Sequence, residues 1–187
     1  MKRVKKGDKG YLNNRKIFYL MLVLAFVIIA AVFFFTGYVR FNTTKTVFTV
    51  MAVLMVLPAA KQFVIYIVIA PYKSVDEIIY NRIKDIINEN DICMIADMVI
   101  TSQEKITNID IICVKGGRVI GYAPNKKVDI NYISKYLMDL ISKYYKINQV
   151  KIYADVIKYE KAIEELKTID ANKYDMDVAR FILTQSV

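Results

Sequence analysis

Few residues in this chain can do chemistry, and they stand apart from one another. Asp110 opens the apolar run within "NIDIICVKGGRVIGYAPNKK" (Asn108 to Lys127), in which no second acid follows, and Asp97 interrupts the apolar strand-like run before it. Carboxylates in such places bind divalent metal, but a metal-dependent hydrolytic centre needs two or more carboxylate oxygens in fixed geometry and a group that positions water. The chain has no histidine and two cysteines, Cys93 and Cys113. The usual zinc sites and His-based triads are therefore excluded. Both cysteines lie in apolar strand-like runs and are expected as buried thiols, not as a disulfide. No Gly-rich phosphate loop, G-x-S-x-G turn or Cys/His pair occurs. The remaining unusual group is Lys61, a cation inside a long apolar segment.

The elements that carry these residues fall into two kinds. Ile17 to Val39 is a 23-residue stretch without a charge, and about 20 apolar residues in a helix cross roughly 30 Å of hydrocarbon. Thr46 to Ala70 is a second such run, interrupted only by Pro58, Lys61 and Gln62, and the joining loop of residues 40–45 is short. An antiparallel transmembrane hairpin is expected, preceded by a basic flank (residues 1–16) and followed by an α/β domain (residues 74–187). Seven basic residues (Lys2, Arg3, Lys5, Lys6, Lys9, Arg15, Lys16) precede the first span, against Arg40 and Lys45 in the loop. By the positive-inside rule both termini face the cytoplasm, giving a two-pass plasma-membrane protein.

The net charge of +9 comes from the flank, loop and spans, because the chain from Pro71 onward carries 17 basic and 17 acidic residues. The soluble part thus offers no basic footprint for nucleic acid, which is not an expected partner. The membrane is expected as one partner, and a protein or a second copy as another. Lys61 lies nine residues before Ala70, about 13 Å from that end of its span, where an ionisable group costs at least about 2.5 kcal/mol. Snorkelling and an assembly contact are the two roles open to it. Pro58 cannot donate its backbone bond, so a kink is expected there.

In the soluble part, Ser74 and Glu77 stand at capping-box spacing before a helical pattern. "DICMIADMVI" reads as a strand buried on both faces, Ile106 to Val114 and Arg118 to Tyr122 as a hairpin about "KGG", and Asn131 to Lys146 as an amphipathic helix. "QVKIYADV" reads as a strand, "YEKAIEELK" as a helix, and "YDMDVARFIL" as a last helix capped by Asp175. Helix, three antiparallel strands, helix, strand and two helices make a small mixed-sheet α/β sandwich.

That order, with the strand pattern of "DMVITSQEKITNIDIICVKGGRVIGYAPNKK", resembles the nuclease-related domain of the restriction-endonuclease-like superfamily over roughly Val75 to Val156. The resemblance implies a metal-binding Asp near the start of the second strand, matched by Asp110, and a Glu-x-Lys on the third. Gly121 and Ala123 occupy the Glu and Lys positions, and Lys126 lies past Pro124, outside the strand. Asp97 and Glu77 do not replace what is missing. The implied domain is degenerate: no catalytic residue, metal or cofactor is expected, with Asp110 as a residual motif acid on the sheet face of Gly121 and Ala123. A non-catalytic interaction or scaffold module follows. The alternative is a membrane-bound metal-dependent nuclease with a relocated acid.

Overall fold

A computed structural model describes residues 4–87, 91–102, 105–125 and 128–186. The chain divides into two compact units: Asn13–Pro71, and the residues up to Leu12 together with those from Tyr72 onward.

The first unit is a helical pair. Helix α1 (Tyr11–Phe41) has 31 residues and α2 (Val47–Ile69) has 23. Both are long and apolar enough to cross a membrane, and only 6% and 17% of their most apolar stretches are buried within the protein. Core helices of a soluble domain would be covered on one face or all round. Thr46 starts α2, its hydroxyl accepting from the Thr49 amide, and the helix continues through Pro58. Ala52 and Ala59 are buried, with Met55 and Gln62 half-buried between and after them. This three-and-four spacing is a packing seam with small residues, the usual way for apolar helices to approach closely.

The second unit is built on a four-stranded sheet in sequence order: β1 (Cys93–Thr101), β2 (Ile106–Lys115), β3 (Arg118–Tyr122) and β4 (Gln149–Tyr153). The first three strands are antiparallel, and β4 joins β3 in parallel after a crossover through α4 (Ile130–Ser142). Helix α3 (Glu77–Ile87) precedes the sheet, and α5 (Val156–Lys167) and α6 (Asp175–Gln185) follow it. Two cores result. Ile112, Val114 and Val119 pack with Leu137 of α4 and Ile182 of α6, while Ile111, Cys113 and Ile120 pack with Ile83 of α3 and Ile163 of α5. The expected α/β sandwich with a mixed sheet is present, following an N-terminal helical pair.

Local signals fix the helix starts, though not always at the residues expected. Asp76, not Ser74, caps α3, its carboxylate accepting from the Ile78 amide. Asp129 and Asp155 cap α4 and α5. Asp175 does not cap α6 but begins it, and its carboxylate turns toward the β2–β3 turn.

The basic flank is partly absorbed into this unit. The Gly7 carbonyl accepts from the Ala96 amide (2.7 Å), and Lys6 Nζ donates to the Ser186 carbonyl (2.6 Å). Ser186 in turn bridges Ile100, and its hydroxyl accepts from the Val99 amide (3.3 Å). Segments near both ends of the chain thus cover the outer edge of β1, an edge that would otherwise offer unpaired amides to another strand.

Candidate functional site: opposed carboxylates on the β1–β2 ladder

Asp97 has a left-handed backbone, φ +55°, which few residues other than glycine, asparagine and aspartate adopt without cost. The consequence is visible in the packing. Ile95 and Met98 both belong to the α4/α6 core and Ala96 to the α3/α5 core, so the strict alternation of a strand is broken at Asp97. Strand β2 breaks at the facing position: Ile109 lies in the α4/α6 core and Ile111 in the other. Register survives, with Ala96 opposite Ile111 and Met98 opposite Ile109. Asp97 and Asp110 therefore stand opposite each other, and both turn to the α3/α5 side.

Each acid has a different environment. Asp97 is 1% exposed, and its two oxygens accept from the amides of Val75 (2.8 Å) and Leu12 (3.4 Å). One side chain thereby holds Leu12 and the segment just before α3 within the same unit. Asp110 accepts from Asn108 Nδ2 (2.6 Å). Burial pushes the Asp110 carboxyl up to about 7, with the Asp97 charge adding to the rise and the Asn108 bond opposing it. At neutral pH Asp110 is thus divided between its acid and its carboxylate forms.

The remaining motif positions lie elsewhere. A Cβ on Gly121 would stand 2.6 Å from Ile152 Cδ1 and 3.3 Å from Ile109 Cγ2, within the α4/α6 core, where Ala123 is also buried. Asp110 faces the other layer, near Tyr122 and Asp97. The expectation that Asp110, Gly121 and Ala123 share one face is not met, and the reason is the paired inversion. In a regular ladder residue 110 would fall opposite 123 and on its face. Lys126 is outside the described residues. Among the described residues no group of three or more His, Cys, Asp or Glu side chains is placed to hold a metal ion. The chemistry this arrangement supports is proton exchange at Asp110 and amide anchoring at Asp97.

Other buried polar groups have structural work to do. The Asp175 carboxylate accepts from the amides of Gly116 (2.8 Å), Gly117 (3.1 Å) and Asn172 (2.7 Å), fastening a turn whose two glycines have φ +58° and +69°. Lys115 Nζ donates to the Lys167 carbonyl (3.2 Å) at the end of α5. Tyr159 Oη donates to Cys113 Sγ (3.2 Å), and burial pushes that thiol up to about 12, so it stays protonated. Neither cysteine is in a disulfide. Glu77 forms a surface ion pair with Lys9. Sequence reading singled out Asp110 and Asp97 but missed that they face each other. The signal was present as two lone acids in neighbouring apolar strands.

In the helical pair, Lys61 is exposed on α2 and Pro58 is half-buried three residues before it.

No family model matches the chain, and no curated protein or solved structure is significantly similar to it. What stands is the architecture: two apolar helices and a small mixed four-stranded α/β domain. The likeness to the nuclease-related domain rests on the strand pattern alone.

Proposed function

We propose that this chain is a membrane-anchored protein whose α/β domain, on the cytoplasmic side, is a non-catalytic interaction module of degenerate nuclease-like type. The observation that carries this reading is the use made of Asp97. Both its oxygens accept backbone amides from the segments that lead into α1 and toward α3, so the acid nearest Asp110 is committed to anchoring. Each amide bond takes up part of the acceptor capacity that a metal-dependent hydrolase would direct at its cation. The lopsided basic flank supports the orientation.

Two measurements on the full chain test this. Single cysteines replacing Thr44, in the loop, and Ser142, exposed on α4, in a background lacking Cys93 and Cys113, are exposed in cells to an impermeant thiol reagent. The cysteine at 44 is expected to react and the one at 142 to be protected, and labelling at 142 overturns the orientation. Detergent-purified protein is then incubated with DNA and RNA in Mg²⁺ or Mn²⁺. Cleavage that Asp110→Asn abolishes would replace the non-catalytic reading with the nuclease alternative.

A further inference from the structure

Lys61 lies 14 residues after Val47 and eight before Ile69, so about 21 Å and 12 Å from the two ends of α2. It belongs to the face opposite the packing seam. Val53, Leu54, Leu57, Lys61 and Val64 are all exposed, whereas Ala52 and Ala59 are buried. The ammonium group is therefore on the side of α2 turned away from the seam.

Its route to water is also unfavourable. The Cα–Cβ bond of a helical residue leans toward the helix N-terminus, which for Lys61 is the farther end. Snorkelling to the nearer end runs against that lean. A counter-charge at the same depth is the other way to lower the cost of a cation in hydrocarbon. The unit Asn13–Pro71 contains no Asp or Glu, so neither this hairpin nor that of a second copy supplies one. Pro58 adds a second polar feature to the same stripe, because without its N–H the Leu54 carbonyl lacks its usual donor. The face thus offers one strong donor and one carbonyl that Pro58 cannot serve, in an otherwise apolar surface.

We infer that the outward face of α2 is a docking surface for a transmembrane helix of a different protein, one that carries a carboxylate at the depth of Lys61. The inference rests on the membrane-anchored reading proposed above and names the partner's chemistry. The carboxylate pairs with the Lys61 ammonium, and Val53, Leu57 and Val64 supply the surrounding apolar contact.

The test uses the full-length chain, donor-labelled and reconstituted into phosphatidylcholine vesicles with acceptor-labelled model helices of about 20 leucines and alanines. The model helices carry Asp, Asn or Leu at the central position. Energy transfer is expected to show about fivefold or greater preference for the Asp helix over the Leu helix. Lys61→Leu should erase that preference and Lys61→Arg should keep it. Equal association of all three helices, or a preference that survives Lys61→Leu, overturns the inference. A preference lost when phosphatidylglycerol is added would assign the ammonium to lipid phosphate and likewise overturn it. Vesicle flotation separates the two levels: a chain that does not float with the vesicles sinks the anchoring reading and this inference together, whereas one that floats without preferring Asp sinks the inference alone.

Discussion

The β2–β3 turn and the middle of the β1–β2 ladder each bury aspartate, and they treat it in opposite ways. At the turn, Asp175 receives three backbone amides, which make it a rigid clip. On the ladder, Asp97 takes two amides, while Asp110 has one neutral amide donor and a second acid facing it. Burial, with the Asp97 charge facing it, drives the Asp110 carboxyl toward its neutral form against the one Asn108 bond. The turn is therefore a structural device, and the ladder centre holds a buried carboxyl, Asp110, that exchanges a proton near neutral pH.

Three substitutions sharpen or break that comparison, each read on the full chain in detergent by thermal unfolding. The largest effect is expected from Asp175→Ala. It leaves three amides without their acceptor and should cost about 3 kcal/mol, or roughly 10 °C of Tm. A loss under about 1 kcal/mol would mean that water replaces the carboxylate and that the turn is not clipped as described.

Asp97→Gly comes next. Glycine accepts the left-handed backbone without strain, so the substitution isolates the lost acceptor, and about 2 kcal/mol should go with the Leu12 and Val75 bonds. Hydrogen exchange at those two amides should quicken more than at neighbouring positions. Unchanged protection there would show that Asp97 does not anchor the two segments.

The most specific effect concerns Asp110. The folded carboxyl is raised to about 7 from an ordinary 3.8, so between these values the folded state holds a proton that the unfolded state has lost. Stability attributable to this group is then fully present below about pH 4, declines as pH rises toward 7, and is flat above it. Wild type should melt several degrees lower at pH 8 than at pH 5 on this account, and Asp110→Asn should flatten that slope by raising the pH 8 value. An unaltered slope in the variant would place the titrating group elsewhere and remove the contrast with Asp175.

Much of the architecture was legible in the chain. The two long apolar runs, the hairpin at Gly116-Gly117 and the amphipathic pattern from Ile133 to Ile141 each express a local rule, so each element appears where its local pattern placed it. Helix starts were less secure because several acids and hydroxyls compete for each cap. Ser74 and Asp76 both fit the start of α3, and only the path of the chain selects Asp76. The lead of the basic flank into the sheet edge could not be read, since the bond from Ala96 to the Gly7 carbonyl joins residues far apart in sequence.

The sequence alone determined that this protein has two helices suited to hydrocarbon, a cation inside the second, and a small α/β domain without histidine chemistry. These are properties of composition and short-range period, and each residue carries its share of them unaided. Tertiary structure decided on which face each acid falls. A single left-handed residue in β1, matched by a break in β2, turns Asp97 and Asp110 together to the α3/α5 side and leaves Gly121 and Ala123 on the other. Strand periodicity assumes uniform alternation along one strand, and this inversion exists only as a property of two strands paired in register.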